Sequence, residues 1–508
     1  MSRSPASGGP EAPAASTQWL RSAFRPQRVL FLVGFLSLAL YVLLFTIPLF
    51  MPRYVSHDIA VPVLPGELVV LLLRPPPGYT GPPLALLELG LGALALLYFL
   101  GLRPWLRGDA PEPPSHRTIF AFSALFCAVL ILSYPLMSTD IFRYAFDGKV
   151  WTVYGENPFI TSPTTFPEDP FLPWVSWKDR PAAYGPLWRW IEGASALPFP
   201  HDLTGTVLVL KGWTTLFFLA DVVLVYAILR RRAPQWAPVG ALLFGWNPLL
   251  VLEAAANGHN DSVVAFFLLL SVYCWETKRP LLVMPALVLS ALVKPVTLLL
   301  APLYVLYLAR SAKGPGEALR LFVGSGLLCG ALIVGAYLPF WGGLKTFQGL
   351  LLESSLFSAG TLAHSLYELM KALGAHAETA RAVVRAVSVV LFGAIYLVEL
   401  AQMRQREERD FVASSMNLLF WYLLIANMRF LPWHLFWLMA FAPLLPPSSP
   451  QAFIGVLFTV LALVSYPLHT GLFPMMLFVF GPMTYMAYRY RAILFQRRPS
   501  ESLTPASL

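Results

Sequence analysis

Residues 281–308 read LLVMPALVLSALVKPVTLLLAPLYVLYL, an apolar run broken once, at Lys294-Pro295. The reading of this stretch decides the fold. Crossing a hydrocarbon core takes about 20 apolar residues as a helix. Such a segment must be helical, because lipid offers no partner to a free backbone N–H or C=O. Read as one span, it puts every later basic cluster on the outer side. Read as a tight hairpin with Lys294 near the outer turn, it keeps those clusters on the side of the earlier ones. The positive-inside rule favours the hairpin. Its arms, 281–293 and 295–309, are short for full spans, which sets Lys294 below the outer surface.

Further apolar runs lie on both sides of this hairpin, near 29–50, 84–102, 118–136, 205–229, 236–254 and 262–275, then 320–339, 382–401, 410–428, 434–446, 452–468 and 471–488. With the two arms they predict an all-α, polytopic membrane protein of about 14 spans. Hydrophobic types make up 57% of the 508 residues and charged types 12%. Soluble proteins carry about 25% charged residues, so too few remain to clothe a water-facing surface. The alternating strands of about ten residues that mark a β-barrel are missing. The net charge of +9 is gathered in short segments: Arg103/Arg107/Arg117, Arg230-Arg231-Arg232, Lys278-Arg279, Arg310/Lys313/Arg320, Arg404/Arg406/Arg409 and Arg489/Arg491/Arg497/Arg498. That pattern marks cytoplasmic loops and not a nucleic-acid surface. Cys127, Cys274 and Cys329 each fall inside an apolar run, with no disulfide framework or metal spacing. The expected organisation is a disordered cytoplasmic tail at 1–28, a transmembrane domain at 29–488 and a basic cytoplasmic tail at 489–508, in the cell membrane. The outer loops are 51–83, 137–204, 255–261, 340–381, 429–433 and 469–470. No internal repeat is visible.

The longest outer loop, 137–204, is dense in aromatic residues, proline and charge. It opens with Ser138-Thr139-Asp140-Ile141-Phe142-Arg143-Tyr144-Ala145-Phe146-Asp147-Gly148. In a helix, Asp140, Arg143, Tyr144 and Asp147 share one face and Ile141, Phe142, Ala145 and Phe146 lie largely opposite, with Ser138 or Thr139 as cap. This predicts an amphipathic helix on the outer membrane surface, its polar face turned to a cavity. Two carboxylates and a guanidinium can deprotonate a hydroxyl and bind an anion. A plain interfacial helix with internal ion pairs has the same pattern. Gly155-Glu156-Asn157-Pro158-Phe159 reads as a turn. Tyr184-Gly185-Pro186-Leu187-Trp188 ends a Trp-rich stretch that suits a membrane interface and equally a sugar-stacking surface.

Other polar residues fall at outer turns: Asn257-Gly258-His259-Asn260-Asp261, Lys294, and Arg429 with Pro432-Trp433-His434. Ionisable groups at membrane depth are costly and point to function, against snorkelling or headgroup binding as the plain explanation. Glu253 and Asn247 lie within a span and suit inter-helical contacts.

The run at 138–148 resembles the signature loop of the GT-C glycosyltransferases, above all the bacterial polyprenol-phosphate-mannose-dependent mannosyltransferases. Gly155 to Phe159 resembles that group's Gly-x-Asn-Pro-aromatic turn, and Tyr184 to Leu187 its Tyr-x-Pro-Leu segment. Gly258 to Asp261, Lys294-Pro295 and Pro432-Trp433-His434 follow in the expected order, so the resemblance covers residues 118–447. The resemblance implies transfer of a hexose, mannose in the nearest group, from a polyprenyl-phosphate donor to a glycan, glycolipid or protein acceptor in one inverting displacement, often without metal and with no other cofactor. It implies Asp140 as general base and Arg143, Lys294, Arg429 and His434 as partners of the donor phosphate. Tyr144, Asp147, Asn157, Tyr184, His259 and Asp261 are the candidates for acceptor and sugar contacts. Family members carry this loop after their first span; here it follows the third, which an added N-terminal hairpin whose outer loop includes Asp58 accounts for. The competing class is a lipid-linked-sugar or small-solute transporter, which would show a pseudo-repeat and helices broken at the midplane.

Overall fold

The structure is a computed structural model and describes residues 26–46, 82–108, 110, 112–135, 137–354, 356, 361–405, 411–446, 449–465 and 481–489. Most of the expected N-terminal tail, the loop with Asp58, and the C-terminal tail beyond Arg489 lie outside these residues. The described residues are helical, with no strand.

The N-terminal hairpin is α1 (Pro26–Tyr41) packed on α2 (Pro82–Leu106), and α3 (His116–Ile131) packs beside α1. The long outer loop supplies α4 (Asp140–Thr152) and α5 (Pro186–Ala196), which lie against each other. Then comes α6 (Leu203–Arg232), the central pillar, which touches α3, α4 and α5 and the later α7 (Ala237–Gly245). The chain bends by 55° at Asn247 into α8 (Pro248–Val251). Asn247 makes that bend a capped helix start: its side-chain oxygen accepts from the amides of Leu249 and Leu250. A π-helical turn at Leu252–Ala256 closes with the Asn257 amide on the Leu252 carbonyl.

After α9 (Asp261–Glu276), which packs on α6, the stretch that opens the sequence argument forms two elements, α10 (Val283–Ala291) and α11 (Ala301–Ser311). They touch each other, and the chain between them is extended at Lys294 and then turns as a 3-10 helix over Pro295–Leu300. Proline at 295 has no N–H to continue the first helix and forces the residue before it out of the helical region. Next come α12 (Pro315–Tyr337), α13 (Gln348–Ser354), α14 (Leu362–Ala372), α15 (Ala377–Gln405) and α16 (Phe411–Trp421). A second π-helical turn, Tyr422–Ala426, closes with the Asn427 amide on the Tyr422 carbonyl. The chain ends in α17 (Leu435–Met439), α18 (Pro450–Ser465) and α19 (Gly481–Arg489).

Five helical stretches are long and apolar enough to cross a membrane: Pro26–Phe45, Leu86–Leu106, Leu203–Arg232, Pro315–Phe340 and Ala377–Arg404. The bent pair Pro234–Gly245 and Pro248–Ala256 makes a sixth if it counts as one, and five more apolar helices are shorter. The expectation of about 14 spans counted such short and broken elements with the long ones, and its last span, 471–488, is described only from Gly481. In α12, Leu319, Phe322, Leu327 and Val334 are all more than 60% exposed. A helix that is apolar and bare to this degree belongs in lipid.

One expectation is corrected. Helix α4 does not lie open on a surface, because Ile141 to Val150 are all buried, polar and apolar faces alike. The loop folds back over it, with Trp174 5.6 Å from Phe142 and Phe166 6.4 Å from Phe146 between ring centres. The polar face tolerates burial because the same loop brings it ion-pair partners and carbonyls.

Candidate active site

Asp140 is the first residue of α4, and its side chain is 19% exposed. Its surroundings are set by the turn that follows the first π-helical segment. Gly258 has φ +71, the left-handed region that suits glycine, and a Cβ there would run into Ile141 of α4. This close approach brings His259 beside the start of α4. His259 Nε2 lies 3.1 Å from Ser138 Oγ and 4.0 Å from Asp140 Oδ2. Ser138 Oγ in turn accepts the Asp140 amide at 3.3 Å. On the other side of the ring, Nδ1 is 2.6 Å from Glu253 Oε2, which also accepts from Asn257 Nδ2 at 3.0 Å. Glu253 and His259 are fully buried, and the imidazole stacks on Trp433 at 3.8 Å. A carboxylate on Nδ1 fixes the proton there and leaves Nε2 facing Ser138 and Asp140.

A second buried pair lies nearby. Lys294 Nζ is 2.6 Å from Asp261 Oδ2, and Trp437 Nε1 donates to Asp261 Oδ1 at 2.7 Å. The ammonium also faces the rings of Tyr184 (4.7 Å) and Trp437 (5.9 Å). Tyr184 arrives there because the loop docks on the broken helix: Gly185 and Leu187 donate their amides to the carbonyls of Val293 and Leu292 at 2.9 and 3.0 Å. Only a residue without Cβ allows this approach, since a Cβ at 185 would collide with the Leu292 carbonyl. Gly185→Ala is therefore expected to cost about 1–3 kcal/mol through forced backbone displacement, read as a lower thermal unfolding midpoint. An unchanged midpoint would show that the docking is not needed. Burial, then the nearby Asp140 charge, pushes the Tyr184 phenol well above its ordinary range, so it is a neutral donor.

The third group fixes the loop. Arg143 Nε donates to Asp147 Oδ1 at 2.8 Å, while its terminal nitrogens bind the carbonyls of Trp177 (2.6 Å) and Arg180 (2.8 Å). Asp147 Oδ2 is held by Arg189 at 2.6 Å, and Arg189 also reaches Glu192 at 2.7 Å. Burial raises the Glu192 carboxyl well above its usual range, with Arg189 opposing. Tyr144 is buried between Tyr184 and Trp188, 5.7 and 5.3 Å between ring centres. Trp177 sits at φ +56, a conformation that costs a side-chain-bearing residue about 1–2 kcal/mol.

These groups border two joined cavities. The smaller, of about 50 Å3, is a cleft that includes Asp140, Arg143, Tyr144, Asp147 and Trp177 in its lining. The larger, of about 360 Å3, has Lys294, Asn427, His434 and Trp437 in its wall. Ala183, Tyr184, Glu353 and Arg429 belong to both. Arg429 forms an ion pair with Glu353 of α13 and lies 5.1 Å from the Trp177 ring centre. His434 Nδ1 accepts from the Leu431 amide at 3.3 Å and lies 3.2 Å from Asn427 Nδ2. A ring nitrogen that accepts a backbone N–H carries no proton, so His434 is neutral here and its free donor is Nε2–H. Of the residues singled out from sequence, Asp140, Arg143, Tyr144, Asp147, Tyr184, Lys294, Arg429 and His434 thus line the cavities. His259 and Asp261 stand behind them. Asn157 lines neither: its amide donates to the Phe340 carbonyl at 2.7 Å and its oxygen accepts the Phe159 amide at 3.0 Å. Among the described residues no cluster of His, Cys, Asp and Glu has the geometry to hold a metal.

A carboxylate in the cleft and cations in the adjoining cavity match the arrangement the sequence motifs imply. Residues 67–310 match the alpha-(1->6)-mannopyranosyltransferase N-terminal domain. The match covers just under half of the chain. It includes Asp140, Glu253, His259, Asp261 and Lys294, and it stops short of Glu353, Arg429 and His434. A Mycolicibacterium smegmatis protein named "Probable alpha-(1->6)-mannopyranosyltransferase" is 30% identical over 146 residues, 28% of this chain and 25% of that relative. The region shared with the mannopyranosyltransferases therefore holds the cleft, and the chain beyond it completes the second cavity.

Several residues escaped the sequence reading. Glu253 was assigned to inter-helical contacts, and Arg189, Glu192, Glu353 and Trp437 were not singled out. For Glu253 a signal existed: a glutamate six residues before a histidine, across an Asn-Gly turn. Arg429 and Glu353 are 76 positions apart, and only the fold pairs them.

Proposed function

We propose that the chain is a membrane mannosyltransferase that uses a polyprenyl-phosphate-mannose donor and acts on the non-cytoplasmic face. The observation that carries the reading is the continuity of the Asp140 cleft with the cavity of Lys294, Arg429 and His434. Asp140 takes the proton of an acceptor hydroxyl as its oxygen attacks C1 of the donor sugar. The bond from C1 to the phosphate oxygen breaks, configuration inverts, and the lipid phosphate leaves with the electron pair. Lys294 and Arg429 meet that negative charge, with Nε2–H of His434 as a neutral donor. The acceptor is a glycan, a glycolipid or a protein. A polyprenyl phosphate keeps its scissile bond at headgroup level, and this supports a base set close to the membrane surface.

Supplying the full chain in vesicles with polyprenyl-phosphate-mannose and a mannose-containing acceptor tests the reading. The expected product is a glycan longer by one mannose. Movement of the lipid across the bilayer with no sugar transferred would overturn it in favour of a transporter.

The buried Glu253–His259 pair positions Asp140 through Ser138. Glu253→Gln keeps the shape and removes the charge on Nδ1–H. Hydrogen bonds to charged groups are worth about 1.5–3 kcal/mol, so kcat is expected to fall about 10- to 100-fold with KM little changed. A rise in KM at constant kcat would reassign the pair to substrate binding.

A further inference from the structure

Trp177 is 46% exposed, whereas Arg143 and Asp147 deeper in the same cleft are at most 8% exposed. It therefore stands at the cleft's mouth. Its backbone is held left-handed by contacts that all come from the start of α4. Arg143 binds the carbonyls of Trp177 and Arg180, and Thr139 Oγ1 meets Ser176 Oγ at 2.8 Å. The residue just before Asp140 and the residue one turn after it thus fix the loop that carries this indole. A strained backbone at a bulky residue, held by buried hydrogen bonds, indicates that the side chain's placement has a use.

The ring's neighbours indicate what that use is. The guanidiniums of Arg180 and Arg429 lie 5.2 and 5.1 Å from its centre. A tryptophan that only anchors a protein in lipid headgroups needs no such company. An aromatic face beside hydrogen-bond donors is suited to a pyranose, whose C–H face packs on the ring while its hydroxyls bond at the rim. We propose that Trp177 is the platform on which the sugar ring of the acceptor stacks, with Arg180 bonding its hydroxyls and the reacting hydroxyl directed at Asp140. The proposal rests on the mannosyltransferase reading for the word acceptor. The saccharide site itself does not.

The test is binding of a soluble α-linked mannose oligosaccharide to the full chain in lipid nanodiscs, measured by calorimetry without donor. Trp177→Gly is the informative variant, because glycine adopts φ +56 without strain and the fold should be kept or gain stability. Trp177→Gly is expected to weaken binding about tenfold or more, and Trp177→Phe by no more than about threefold. Equal affinity in wild type and Trp177→Gly, or no saccharide binding by wild type, overturns the platform. Saccharide binding that depends on Trp177 supports it even if no mannose is ever transferred, and that result would count against the enzyme reading alone.

Discussion

Asp140→Asn is expected to reduce mannosyl transfer about 10²- to 10⁴-fold, the contribution of a positioned proton acceptor. Asparagine matches aspartate in size, so the start of α4 and the Ser138 contact remain. The amide oxygen cannot accept the proton. Because the donor phosphate is met by Lys294 and Arg429, donor affinity should be little changed, and the loss should fall on kcat. Measuring transfer and donor binding in the same preparation separates the two. If Asp140→Asn keeps transfer within about threefold of wild type, another group is the base and the cleft has been assigned wrongly.

Lys294→Met is expected to be costly for a different reason. Asp261 is completely buried, and without the ammonium it is a charge with one indole N–H for company. Breaking a buried pair from one side costs about 3–5 kcal/mol. The double variant Asp261→Asn with Lys294→Met removes both charges and should recover most of that stability without recovering transfer, since the phosphate has lost a partner. Thermal unfolding and transfer assays on the two variants decide this. If the single variant is as stable as wild type, the pair does not hold α9 to the broken helix. If the double variant transfers normally, Lys294 has no part in the reaction.

What could be read beforehand was local. The spacing of Asp140, Arg143, Tyr144 and Asp147 predicts a helix with one polar face, and a helix begins at Asp140. Lys294-Pro295 predicts a break because proline cannot donate, and the chain is extended there. What could not be read is which distant segments meet. Asp261 and Lys294 are 33 positions apart and pair because α9 packs on α10. The burial of α4 depends on a loop whose folding back no periodicity records. Arg189 and Glu192 sit at helical spacing in α5, but their third partner, Asp147, is supplied by another helix.

The two π-helical turns have a consequence for how this site can vary. Each ends on an asparagine, Asn257 or Asn427, whose side chain supports a histidine, directly at His434 and through Glu253 at His259. A π turn holds one residue more than the helix around it needs. Loss of that residue would restore regular winding and rotate everything downstream by about 100°. His259 and Asp261 would then leave Asp140, although every side chain of the site was still encoded. At these two places the constraint acts on chain length rather than on residue identity, so substitutions within 252–256 and 422–426 are more easily absorbed than a single deletion.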